Sequence, residues 1–93
     1  MTAYILATVT INDPTRFKAY ADAISGLAER FGGTYLLRGP VIEAIEGEVP
    51  AGERVVLLQF PDAAAARDYI RSPEYQSGKR LREGAAAVTM RLI

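Results

Sequence analysis

The amino-acid sequence predicts a two-layer α+β domain with the element order β-α-β-β-α-β and a four-stranded antiparallel sheet. First, both halves of the chain carry one local pattern: an apolar β-rich run, an aspartate at a helix start, and an amphipathic helix with a tyrosine at the same distance from it. Asp13 with Tyr20 and Asp62 with Tyr69 are the matching pairs. Second, a further β-rich run follows each helix, at residues 34–46 and 87–93. Third, the strands are apolar on both faces, which is more than helices on one side of an antiparallel sheet can cover.

Taken in chain order, the first strand is Ala3–Ile11, and Asn12-Asp13-Pro14 ends it by placing Asp13 at an N-cap and Pro14 at the first helical position. In the helix that follows, Phe17, Tyr20, Ala21, Ile24, Leu27, Ala28 and Phe31 recur at helical spacing. Arg16, Lys18, Asp22, Ser25, Glu29 and Arg30 take the other side, and Gly32-Gly33 supplies the stop. An extended pattern resumes at 34–38, Gly39-Pro40 bends or bulges it, and it continues over 41–46 before a hairpin connection at 47–52.

The third strand is Arg54–Phe60. Pro61-Asp62 opens the second helix, where the alanines at 63–66 have high helix propensity. A residue before proline resists the helical region, so Ser72-Pro73 kinks the chain. Ser72 then serves as a new N-cap, with Glu74 and Tyr75 in the next first turn. Lys79, Arg80 and Arg82 close that segment, Gly84 ends it, and the last strand covers 87–93.

Strand parity assigns Ile5, Ala7, Val9 and Ile11, with Val56, Leu58 and Phe60 and with Val88, Met90 and Leu92, to the helix-covered face. The opposite face then carries Tyr4, Leu6, Thr8, Thr10, Val55, Leu57, Gln59, Ala87, Thr89, Arg91 and Ile93, too apolar a set to leave in water. A second copy laid sheet against sheet is the simplest cover, giving a closed or sandwiched homodimer in which Thr8, Thr10, Gln59 and Arg91 line a cavity. The alternative for Thr10 and Arg91 is a strand end near solvent. Size points the same way, because a chain this short buries only roughly 60 to 65% of the surface its unfolded form exposes.

A single domain spanning residues 1–93 accounts for the length. Eleven basic against eleven acidic residues give a formal net charge of zero with the signs interspersed, so there is no electrostatic footprint for nucleic acid or an anionic membrane. Without cysteine, disulfides, thiolate metal sites and thiol nucleophiles are excluded. Without histidine, the usual haem ligand and the commonest general base are missing. The acidic residues lack calcium-loop spacing, and neither metal nor cofactor is expected. The apolar stretch Ala3–Ile11 is too short and too rich in threonine for a signal or membrane segment, so a cytoplasmic location is the default expectation.

Several stretches together resemble the family known as domain of unknown function 1330, within the dimeric α+β barrel superfamily. They are Asp13-Pro14 with Phe17 and Tyr20, Phe31-Gly32-Gly33 with Tyr35-Leu36, Arg38-Gly39, Glu46-Gly47, Phe60-Pro61, Ser72-Pro73-Glu74-Tyr75-Gln76, and Leu81-Arg82 with Gly84-Ala85. The Ser-Pro-Glu-Tyr segment and the Arg-Gly pair are the specific parts. The resemblance covers essentially the whole chain and implies a ferredoxin-like protomer and a homodimer whose sheets form a barrel. It implies no assigned activity. Superfamily relatives include cofactor-independent monooxygenases, muconolactone isomerases and haem-degrading enzymes, the last at odds with the missing histidine.

Candidate acid–base groups are Asp13, Glu46, Glu74 and the tyrosines, with Arg38 and Arg82 as anion stabilisers. Asp13 and Asp62 are better read as helix caps, Glu74 as a complement to a helix dipole, and Tyr20 and Tyr69 as core. Arg38 ends an apolar run before a glycine that permits close approach, its dull alternative being an ion pair with Glu43 or Glu46. Tyr75 hangs over the cavity mouth or, as the alternative, packs under the kink, and Arg82 shares roughly its helix face. Those three, with Gln59 deeper inside, are the expected ligand-binding residues, for an anionic or aromatic small molecule whose tail points toward Leu6 and Leu57. Two functions stay open: a barrel that binds such a metabolite, with cofactor-independent isomerase or monooxygenase chemistry as its catalytic variant, and a structural dimer without catalysis.

Overall fold

Residues 3–11 form one of the two inner strands, its side chains alternating between the helix-covered face and the opposite one. In the computed structural model, which describes residues 1–93, β1 (Ala3–Ile11) buries Ala3, Ile5, Ala7 and Val9 and leaves Tyr4, Leu6, Thr8 and Thr10 half-buried. β2 (Thr34–Pro40), β3 (Arg54–Phe60) and β4 (Ala86–Leu92) join it in the order β2-β3-β1-β4, all neighbours antiparallel. Four helical segments cover one face: α1 (Pro14–Ala23), α2 (Leu27–Arg30), α3 (Ala63–Arg71) and α4 (Pro73–Leu81). This is the ferredoxin-like α+β arrangement. No helix is long and apolar enough to cross a membrane.

Local chemistry sets the helix starts where the sequence marks them. Asp13 accepts a hydrogen bond from the Arg16 N–H at 3.1 Å, with Pro14 in the first turn, and Asp62 accepts from the Ala65 N–H at 2.8 Å. The Ser72 hydroxyl accepts from the Tyr75 N–H at 3.1 Å and donates to the Tyr69 carbonyl at 2.8 Å, so one side chain ends α3 and starts α4.

Three expectations are corrected. The first helix does not run unbroken to Gly32-Gly33: it ends at Ala23 and restarts at Leu27, because Gly26 takes φ of 77°, a conformation glycine reaches without steric cost. The second strand stops at Pro40, and 41–46 are not part of the sheet. Beyond a single bond from the Val41 N–H to the Glu53 carbonyl at 2.9 Å the chain is irregular, and Ile42 and Ile45 project at 96% and 92% exposure. The bulge lies between Tyr35 and Leu37, whereas Gly39 and Pro40 stay paired with Val55 and Arg54.

Ile5, Leu58 and Phe60 of the sheet pack against Tyr20, Ile24, Leu27, Ala28, Ala66, Tyr69 and Tyr75 in one core. Tyr69 is its hub, with ring centroids of Tyr75, Phe60 and Phe31 at 5.0, 5.5 and 6.1 Å. α1 and α4 approach closely at Gly78, where a Cβ would lie 2.7 Å from Ile24 Cγ2. On the opposite sheet face, register sets Leu6 beside Leu57 and Arg91, Thr8 beside Val55 and Thr89, and Tyr4 beside Gln59. Nothing else in the chain covers that face.

Candidate functional site

Between the helices and the inner sheet face lies a cavity of about 260 Å³. β1 contributes Ile5, Ala7 and Val9 to its floor, β3 contributes Val56 and Leu58, and β4 contributes Val88 and Met90. Phe17, Tyr20 and Ile24 form the α1 wall, Tyr69 closes the α3 side, and Tyr35 with Arg38 comes from β2. The break before α2 adds Ser25 and Gly26, so the same glycine that interrupts the helix opens part of the wall.

The bulge decides what β2 presents. Regular alternation would turn Tyr35 and Leu37 to one face and Arg38 to the other. With one extra residue in the strand, Tyr35 pairs with Leu58 and Arg38 with Val56, and both side chains reach the cavity. The Arg38 guanidinium sits 4.2 Å from the centroid of the Tyr35 ring. It makes no ion pair with Glu43 or Glu46: the protein's ion pairs are Lys18–Asp22 and Arg30–Glu74.

Behind the α1 wall lies a chain of polar groups inside the core. Arg82, 7% exposed, donates from Nη1 to the Tyr75 hydroxyl at 2.8 Å, and the hydroxyls of Tyr75 and Tyr20 are 3.3 Å apart. The same guanidinium lies 4.7 Å from the Tyr20 ring centroid and 5.8 Å from that of Tyr75, and no carboxylate pairs with it. A buried cation is thus held by hydroxyl and ring faces alone. The Tyr75 hydroxyl also meets Met90 Sδ at 3.6 Å. Burial, with the Tyr75 phenol alongside, holds the Tyr20 phenol well above the usual tyrosine range, Arg82 pulling the other way. Burial also raises Tyr69, reinforced by Tyr35, and raises Tyr35, there offset in part by Arg38. At neutral pH these phenols are hydrogen-bond donors and not bases.

Of the residues singled out from sequence, Tyr75 and Arg82 are in direct contact, and Arg38 lies in the wall of the cavity to which Tyr20 connects them. Gln59 is apart from all three. Its strand neighbours Leu58 and Phe60 are buried under the helices, so parity turns Gln59 to the opposite face, beside Tyr4 and Thr34. The cavity that Tyr20 and Arg38 line is under the helices, across the sheet from Leu6 and Leu57. Sequence reasoning missed Tyr35 and left Tyr20 and Tyr69 as core alone; an excess of tyrosine on helix-side positions was the available signal. Asp13 and Asp62 are caps. Glu74 pairs with Arg30 at 3.7 Å, Glu46 is exposed, and no group of carboxylates could hold a metal ion.

No curated protein matches the chain. Among solved structures, a protein of unknown function from Rhodopseudomonas palustris is 21% identical with a TM-score of 0.77, covering 99% of this chain and 80% of that one. A dimeric ferredoxin-like protein of unknown function from Jannaschia sp. CCS1 is 19% identical, with a TM-score of 0.74 and coverage of 100% and 98%. SnoaB, a cofactor-independent oxygenase from Streptomyces nogalater, is 13% identical, with a TM-score of 0.70 and coverage of 99% and 90%. At these identities the likeness establishes the shared fold. The model of the family described as Domain of unknown function (DUF1330) matches residues 2–93, and the chain belongs to that family.

Proposed function

We propose that the protein is a homodimeric small-molecule-binding protein whose ligand, an aromatic or apolar body bearing an anionic or hydrogen-bond-accepting group, occupies the cleft under the helices. The arrangement of Arg82, Tyr75 and Tyr20 carries this reading. A guanidinium only donates, so when the Tyr75 O–H donates to Tyr20 instead of to Met90 Sδ, the Tyr20 hydroxyl is free to donate into the cleft it lines. Arg38 supplies a second donor and a full positive charge at the β2 wall. The apolar floor takes the body of the ligand.

The dimer is the sheet-to-sheet one, with Leu6, Leu57 and Val55 at its centre. In this reading Gln59 and Arg91 belong to the interior of the closed barrel, as a polar lining separate from the cleft. The likeness to a dimeric ferredoxin-like protein supports the assembly.

A catalytic variant rests on the same donors. A bound phenol or enolisable ketone would have its conjugate base stabilised by Tyr20 and Arg38, the first requirement of oxygenase or isomerase chemistry without a cofactor, and the fold is shared with one such oxygenase.

A thermal-shift titration with small aromatic carboxylates tests the binding reading. Wild type is expected to be stabilised saturably. Arg38→Ala should lose about tenfold or more in affinity, the roughly 1.5 to 3 kcal/mol of a charge-assisted contact, while melting within a few degrees of wild type. If no small anion stabilises the wild type and Arg38→Ala melts far lower, Arg38 is structural and the dimer is an accessory protein without a ligand.

A further inference from the structure

A second cavity, of about 270 Å³, lies on the helix side of the sheet between α3 and the edge strand β4. Its floor is Ile70, Met90 and Leu92, and the two β4 side chains are left 37% and 42% exposed because no helix extends over the edge strand. Arg67 and Arg71, one helical turn apart on α3, form its rim. Neither guanidinium has a carboxylate or a hydrogen-bond acceptor. Both ion pairs of the protein lie elsewhere, and its side-chain hydrogen bonds from arginine are those of Arg16 and Arg82. Arg71 complements the C-terminal end of the α3 dipole, but Arg67, a turn earlier, has no such role.

Two unpaired cations beside an apolar floor, in a chain of zero net charge, are a local excess that the fold itself leaves unanswered. We propose that this groove is a second binding site, for an anionic amphiphile: an apolar chain laid over Ile70 and Leu92 with its carboxylate, or an equivalent oxyanion, in the fork of Arg67 and Arg71. Charge complementarity selects the head, since guanidinium groups bind carboxylates in bidentate geometry and are weakly hydrated. The arginine stems add apolar contact along the chain. This site is independent of the cleft lined by Tyr20 and Arg38, although Ile5 and Met90 contribute to both walls.

The test is calorimetric titration of the whole protein with decanoate, decanol and inorganic phosphate, together with methyl NMR. Decanoate is expected to bind wild type and to lose about tenfold or more in affinity in Arg67→Ala/Arg71→Ala, as expected for a lost charge-assisted contact. Both positions are exposed, so the variant should fold. Decanol and phosphate should each bind far more weakly than decanoate, because one lacks the head and the other the tail. Methyl shifts should centre on Ile70 and Leu92. The proposal is overturned if decanol matches decanoate, if phosphate alone accounts for the binding, if the double variant binds as wild type, or if the shifts centre on Val56 and Leu58, which belong to the other cavity.

Discussion

Arg38 lies over the Tyr35 ring at 4.2 Å because one extra residue in β2 turns both to the helix side of the sheet. The bulge is therefore what brings a guanidinium to the cleft. Deleting Leu36 would remove the extra residue and leave Arg38 two positions from Tyr35, so both stay on the helix side of the sheet opposite Val56 and Leu58. The expected outcome is a folded protein that keeps its aromatic-carboxylate affinity, measured by the same thermal-shift titration. Affinity reduced as far as in Arg38→Ala would mean that strand pairing does not aim Arg38.

The uncovered sheet face makes an assembly prediction. Light scattering at low micromolar concentration should report twice the mass of one chain, and Leu57→Asp should give monomers, since burying an unpaired carboxylate in an apolar interface costs several kcal/mol. A wild-type monomer under those conditions would exclude the sheet-to-sheet dimer.

Removing one partner of the buried pair should cost more than removing both. Tyr75→Phe leaves the Arg82 guanidinium without its acceptor and is expected to destabilise by about 1 to 3 kcal/mol. Tyr75→Phe with Arg82→Met removes the orphaned charge and should recover part of that loss, which denaturant unfolding of the wild type and the two variants would show.

Alkaline stability follows from the raised phenols. Tyr20 and Tyr69 titrate above their ordinary value of 10.0 when folded and near it when unfolded. Below pH 10 both states hold the proton and the stability is complete. Above pH 10 the unfolded chain alone releases it, so stability falls as pH climbs toward the folded values. Tyrosinate absorbance and circular dichroism recorded together should show these two phenols ionising as the fold is lost; ionisation in a fully folded protein would contradict the assignment.

Gly78→Ala should destabilise although alanine favours helices. The new Cβ would meet Ile24 Cγ2 at 2.7 Å, and overpacking of about 1 to 3 kcal/mol outweighs a propensity gain of about 1 kcal/mol. Adding Ile24→Leu, which has no methyl branch on its Cβ, should relieve it; no recovery of the melting temperature would place the strain elsewhere.

The caps at Asp13, Asp62 and Ser72 were legible because each rests on residues within one turn, and the face assignment of β1 because its alternation is strict. The bulge was not legible, since nothing in Tyr35-Leu36-Leu37 marks it and Gly39-Pro40 a few residues on carries the stronger turn chemistry. The break at Gly26 was masked by Leu27 and Ala28, which keep the helical period across it. At the site, Tyr75 and Arg82 share a helix face and could be paired by spacing. Tyr20 meets Tyr75 only through packing of α1 against α4, a relation that no spacing encodes.

The guanidinium of Arg82 also bears on the acidity of whatever enters the cleft. One tyrosine ring lies between it and the cavity, and there is little water to screen it. A ligand with a dissociable proton near that wall would surrender it more readily than in water. The protein would then select a compound by how easily it becomes an anion as well as by its shape, holding weak acids in a form that free solution scarcely populates.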